Sequence, residues 1–142
     1  MKILVTGATG FIGGNLAREL RRRGDNVQAL VRPGSNRLTS QDTGINQVEG
    51  DILDRQSIER AIQGCEAVYH VAAAYTFGSR DPAGVSRANV QGTINVLEAA
   101  RQAGVSRTVY TSTVGTIGIP QTGLGDENTC LLYHFDAAVV SS

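Results

Sequence analysis

A chain of 142 residues is long enough for one domain with a packed core and too short for two. With 41% apolar and 18% charged residues it has the composition of a soluble globular protein, and 13 basic against 13 acidic side chains leave no net field to draw nucleic acid or an anionic membrane. No apolar run nears a membrane span, Met1-Lys2 leads into a strand pattern rather than a signal peptide, and Cys65 and Cys130 lack metal-site spacing, so a cytoplasmic protein with no bound metal is expected.

Ile3 to Val5 reads as a buried strand. It runs into three glycines, Gly7, Gly10 and Gly13, and then into a helical pattern with Ile12, Leu16 and Leu20 on one stripe. Arg21-Arg22-Arg23 is a solvated helix end that complements the helix dipole, closed by Gly24. Strand, glycine turn and helix in this order are the start of a dinucleotide-binding βαβ unit. Gly7 permits the tight turn, Gly10 lets backbone N–H groups approach a pyrophosphate, and Gly13 lets the helix lie close to the strand with its N-terminus aimed at the anion.

The spacing is Thr6-Gly7-x-x-Gly10-x-x-Gly13 rather than Gly-x-Gly-x-x-Gly. In this form it resembles the extended short-chain dehydrogenase/reductase family, which includes NAD-dependent epimerases and dehydratases and reductases similar to dihydroflavonol reductase. The resemblance implies cofactor contacts from Gly7, Thr9, Gly10, Phe11, Ile12 and Gly13. A second strand spans Val27 to Val31, where NAD-preferring members carry an acidic residue near the strand end. Here Val31 stands in that place, with Arg32 next to it and Arg37 a few residues on. An aliphatic side chain cannot accept from a ribose hydroxyl, whereas guanidinium groups suit a 2′-phosphate. NADP is therefore favoured, with NAD as the alternative; the competing reading is a solvated loop with two incidental arginines.

Residues 33–44 form a loop, and a third strand covers Ile45 to Glu49. The following Gly50-Asp51-Ile52-Leu53-Asp54 resembles the family's Gly-Asp-Leu-x-Asp segment, which gives Asp51 and Ile52 the adenine contacts. Asp51 also suits a strand-end turn, and Asp54 the cap of a short helix carrying Ile58, Ala61 and Ile62. The fourth strand, Ala67 to Ala73, ends in the small residues that the family places beside the cofactor, so Val71, Ala72 and Ala73 join the site. His70, with no carboxylate partner in view, reads as a structural strand-end histidine rather than an acid or base. The longest helical pattern runs from Val85 to Gly104, with Val90, Ile94, Leu97 and Ala100 spaced for a buried face. Asn89 within it resembles the family's Asn-x-x-Gly-Thr residue that steadies the neighbouring strand. A fifth strand from Arg107 leads into Thr111-Ser112-Thr113, where the resemblance puts further cofactor contacts on Thr111 and Ser112. It puts the hydrogen bond to a reacting substrate oxygen on Thr113; strand-end hydroxyls also commonly satisfy backbone groups. The implied fold is an α/β Rossmann fold with sheet order 3-2-1-4-5 and right-handed crossovers.

The resemblance weakens at the end. The family's chemistry rests on a Tyr-x-x-x-Lys pair, but the only lysine here is Lys2, and Tyr133 is followed four residues on by Ala137. Residues 1–125 are expected to form the dinucleotide-binding domain and 126–142 an incomplete tail, with the later strands and the substrate lobe missing, as in a fragment or truncated gene. The strand of Val109 would then be an exposed edge, prone to self-association unless Leu131, Leu132, Phe135, Val139 and Val140 fold over it. Two functions follow. One is the cofactor-binding part of an NAD(P)-dependent epimerase, dehydratase or reductase that acts on a nucleotide-sugar or similar hydroxyl/carbonyl substrate and dimerises when complete. The other is a non-catalytic NADP-binding module or an inactive truncation product.

Overall fold

The computed structural model describes residues 1–35, 44–74, 81–113, 120, 122–126 and 129. The chain divides into two compact units, Met1–Tyr110 and Thr111–Ser142. In the first, strands alternate with helices: β1 (Lys2–Thr6), α1 (Phe11–Arg22), β2 (Asn26–Val31), β3 (Asn46–Glu49), α2 (Arg55–Ala61), β4 (Ala67–His70), α3 (Pro82–Gln102) and β5 (Arg107–Tyr110). The five strands form one parallel sheet in the order β3-β2-β1-β4-β5. The expected sheet order holds.

The inner strands β1, β2 and β4 are buried along most of their length because both faces of the sheet are covered there, whereas β3 and β5 form its edges. Alternate residues point to opposite sides. Ile3, Val5, Val27, Ala29 and Val31 pack with Ala17 and Leu20 of α1, while Leu4, Leu30 and Val68 pack with Ile58, Ala61 and Ile62 beside α2 and Val96, Ala99 and Ala100 of α3. Each fully buried Leu, Ile or Val contributes roughly 1.5–3 kcal/mol. Asp54 caps α2 by accepting from the Gln56 N–H at 3.1 Å, and Asp81 caps α3 by accepting from the Gly84 N–H at 2.8 Å.

Two helix faces differ from expectation. In α1 the buried residues are Gly13, Gly14, Ala17 and Leu20, and Ile12 is 61% exposed at the open first turn. In α3 the buried set is Gly92, Asn95, Val96, Ala99 and Ala100, whereas Val90, Ile94 and Leu97 face outward. The cause is close approach: a Cβ on Gly92 would come within 2.6 Å of the Ile52 Cδ1, so only a small-residue stripe fits on the inner side. α3 also begins at Pro82, three residues before Val85, because the Asp81 cap and Pro82 at the first helical positions start it there.

β5 is the edge strand beside β4, with Val109 39% and Tyr110 50% exposed. In the second unit Asp126 and Thr129 close a turn, the Asp126 N–H donating to Thr129 Oγ1 at 2.9 Å and the Thr129 N–H to the Asp126 carbonyl at 3.0 Å. Arg37, Cys130, Leu131, Leu132, Tyr133, Phe135, Ala137, Val139 and Val140 lie outside the described residues. No helix among the described residues is long and apolar enough to cross a membrane.

Candidate functional site

The carboxyl ends of the parallel strands lie along one edge of the sheet, and the strand order reverses direction between β1 and β4. β1 leaves the sheet through Gly7, whose φ of +75° belongs to the left-handed region. A Cβ there would also sit 2.7 Å from the Ala72 nitrogen and 2.9 Å from its Cα, so the two turns after β1 and β4 touch backbone to backbone. Gly13, one turn into α1, is equally constrained: its Cβ would lie 2.6 Å from the Gly7 carbonyl carbon. Gly10 differs, since a Cβ there would meet only the Gly7 oxygen, at 3.3 Å. Gly7 and Gly13 are thus set by packing, while Gly10 keeps the outer face of the loop bare.

α1 starts without a side-chain cap, in contrast to the aspartate-capped α2 and α3. Its first-turn N–H groups, those of Phe11 and Ile12 among them, have no intrahelical acceptor and carry the positive end of the dipole. An uncapped helix start facing a loop with no Cβ is the arrangement that accepts a phosphate or pyrophosphate. The residues present fit that group.

The turn after β4 is held from two sides. The Ala72 N–H donates to the Thr6 hydroxyl at 3.2 Å, and the Thr6 oxygen lies 2.7 Å from His70 Nδ1. Asn89 of α3 clamps Ala74 twice, its Oδ1 accepting from the Ala74 N–H at 2.7 Å and its Nδ2 donating to the Ala74 carbonyl at 2.9 Å. The expected role of Asn89 in steadying the neighbouring strand end therefore has a definite form. His70 is fully buried, and burial pushes its imidazole below the usual 6.5 to about 4. Its Nε2 lies 3.0 Å from Thr93 Oγ1, and Tyr110 stacks on its ring at 5.4 Å. A neutral ring enclosed in this way is structural, as its sequence context suggested.

Beyond β3, Asp51 folds its own turn: Oδ1 accepts from the Leu53 N–H at 2.9 Å. Ser57 of α2 locks the same turn. Its hydroxyl accepts from the Asp51 N–H at 3.0 Å and lies 2.7 Å from the Asp54 carbonyl. Ile52 is gripped by α3, where Asn95 Nδ2 donates to its carbonyl at 2.9 Å and Gly92 leaves room for its side chain. An open groove of about 620 Å³ adjoins this region, lined by Leu53, Ala74, Asp81, Gly84, Val85, Arg87 and Gln91.

Val31 is buried at the end of β2 and the exposed Arg32 follows it, its carbonyl accepting from both the N–H and the hydroxyl of Ser35. Thr111, Ser112 and Thr113 are exposed and belong to the second unit. The structure thus brings together Gly7, Gly10, Gly13, Val71, Ala72 and Ala73. Thr6, Ser57, Thr93 and Asn95 also hold these turns, through bonds that the sequence pattern does not single out. Their signal is a hydroxyl or amide at a core position of a strand or helix, where it must find a partner. Among the described residues no group of three or more His, Cys, Asp and Glu is arranged to hold a metal.

Comparison with known proteins fits this geometry. Residues 3–138 match the model of the NAD dependent epimerase/dehydratase family. The 2-alkyl-3-oxoalkanoate reductase of Stenotrophomonas maltophilia is 46% identical over 114 residues, covering 80% of this chain and 33% of that protein. The dihydroflavonol 4-reductase of Solanum lycopersicum is 36% identical over 129 residues, covering 84% and 34% respectively. A short-chain dehydrogenase/reductase superfamily protein from Agrobacterium tumefaciens, solved with bound NAD, superimposes with a TM-score of 0.79 at 32% identity, covering 92% of this chain and 39% of that one. The chain spans about a third of the length of the curated relatives it matches, 34% and 39% for two others. With the family match running over nearly all of its length and its glycine turn, sheet order and strand-end turns in agreement, the chain belongs to the NAD dependent epimerase/dehydratase family.

Proposed function

We propose that this chain is the cofactor-binding part of an NAD(P)-dependent reductase, epimerase or dehydratase. The carrying observation is the cradle itself: the bare glycine loop, the uncapped start of α1, and the Ala72 turn pressed against Gly7. In this reading the N–H groups of Phe11 and Ile12 bind the pyrophosphate across the bare Cα of Gly10, whose own N–H donates to the Gly7 carbonyl at 3.0 Å, with Thr9 beside it and Gly13 holding α1 close to the strand. Asp51 and Ile52 border the adenine. Val71, Ala72 and Ala73 leave a smooth wall for the ribose and nicotinamide half. Arg32 and Arg37 favour a 2′-phosphate, making NADP the preferred cofactor over NAD, because Val31 offers no acceptor to a 2′-hydroxyl. When bound, the nicotinamide supplies hydride transfer.

The substrate class is a small molecule with a hydroxyl or carbonyl at the reacting carbon, as in a nucleotide-sugar or a keto compound. The two reductases named above favour the carbonyl form. Thr111 and Ser112 would add cofactor contacts, and Thr113 would donate to the reacting substrate oxygen. These 142 residues contain no Tyr-x-x-x-Lys, and Lys2 Nζ donates to the Gln63 carbonyl at 2.6 Å, at the opposite end of β1 from the cradle. Cofactor binding without turnover is therefore expected of this chain alone. The same absence supports the second reading, a non-catalytic NADP-binding module. Fluorescence titration with NADPH and NADH is the test: saturable binding that Gly10→Ala abolishes supports the reading, and no binding by the folded chain refutes it.

A further inference from the structure

The Thr6 hydroxyl is enclosed, and its hydrogen bonds impose a direction. The Ala72 N–H can only donate, so Thr6 Oγ1 accepts it. The one remaining partner of that oxygen among the described residues is His70 Nδ1, at 2.7 Å. If Nδ1 carried a proton, the oxygen would accept twice and the hydroxyl proton would be buried with no acceptor, at a cost of roughly 1–3 kcal/mol. The satisfied arrangement has Thr6 donating to a bare Nδ1, and the His70 proton on Nε2 donating to Thr93 Oγ1 at 3.0 Å. One directed series of bonds then runs from α3 through β4 and β1 into the Ala72 turn.

We propose that His70, neutral and protonated on Nε2, is a positioning residue for the cofactor cradle: by accepting the Thr6 proton it aims the Thr6 lone pair at the Ala72 N–H and fixes the Ala72 turn against Gly7. The register supports this, because Thr6 and His70 are paired across β1 and β4, and the Val71 N–H donates to the Thr6 carbonyl at 3.3 Å. The sheet ladder ends there, and the hydroxyl carries the constraint one residue further, to Ala72. The groups packed on the ring are hydroxyls from β1 and α3 and the phenol of Tyr110 from β5. Burial accounts for the lowered affinity of the ring for a proton.

The inference rests on the nucleotide-binding reading of this edge, yet its test separates the two. In a His134→Gln background, which leaves His70 as the sole histidine, long-range proton–nitrogen correlation on ¹⁵N-histidine-labelled chain reads the tautomer directly. A pyridine-type Nδ1 and a pyrrole-type Nε2 are expected; a protonated Nδ1 overturns the proposal. His70→Asn keeps an acceptor near the Nδ1 position, whereas His70→Gln places its amide toward Thr93 and leaves Thr6 without one. Amide exchange at Ala72 should stay near the parent rate in His70→Asn and speed up about tenfold in His70→Gln, the change expected for one lost hydrogen bond. NADPH affinity should follow the same order, nearly unchanged in Asn and about tenfold weaker in Gln. Equal Ala72 exchange in the two variants would overturn the positioning role. If the parent fails to bind NADPH while the tautomer and exchange results hold, the functional reading fails and the positioning of the turn stands.

Discussion

Replacing Gly7 with alanine tests the cradle most sharply, because two independent costs fall on one methyl group. The φ of +75° puts an L-residue in the left-handed region, at about 1–2 kcal/mol. The new Cβ would stand 2.7 Å from the Ala72 nitrogen and 2.9 Å from its Cα. These are backbone atoms on a turn fixed by Thr6 and Asn89, so no rotamer change relieves the overlap. Overpacking of this kind costs roughly 1–3 kcal/mol. The sum, about 2–5 kcal/mol, is a large share of a domain's typical 5–15 kcal/mol. At a urea slope of about 2 kcal/mol per molar the midpoint should fall by ~1–2.5 M, read by far-ultraviolet circular dichroism. Gly10→Ala is the matched control. Its Cβ meets one atom at 3.3 Å and its φ is negative, so the midpoint should barely move while nucleotide binding is lost. An unchanged midpoint in Gly7→Ala, or a large drop in Gly10→Ala, would refute the assignment of Gly7 to packing and Gly10 to the ligand face.

His70 makes stability fall in acid. Its folded pKa of about 4 lies below the ordinary 6.5, so between these values the unfolded chain binds the extra proton. Stability is full above 6.5 and is lost as the pH falls toward 4, by about 3 kcal/mol. Urea midpoints across that range should fall less steeply in His70→Asn, and parallel curves would contradict the claim. Asn89→Ala removes both bonds to Ala74 and should cost about 1–3 kcal/mol, read by urea denaturation, with weaker NADPH binding. Arg32→Ala should weaken NADPH roughly tenfold and leave NADH nearly unchanged, read by competitive titration.

Much of the molecule was legible in its letters because the physics was local. Three glycines between an apolar run and a helical pattern fixed the turn, and apolar strands separated by helices dictated a parallel sheet covered on both faces. Asp54 and Asn89 each found the partner their position implied. The orientation of α3 was not legible. Of the stripe Val90, Ile94, Leu97 and Ala100 only Ala100 is buried, and the helix turns Gly92, Val96 and Ala99 inward with it, because its distance from Ile52 is set by contacts forty residues away in the chain. Thr6 and Ser57 were equally hidden, since a hydroxyl acquires its role only when a distant N–H is brought to it.

The most direct measurement is calorimetric titration of the purified chain with NADPH and, separately, NADH. Saturable binding of both, with NADPH tighter and Gly10→Ala binding neither, is the predicted result. A chain that is folded by circular dichroism yet takes up neither nucleotide would contradict the assignment of this sheet edge to a dinucleotide.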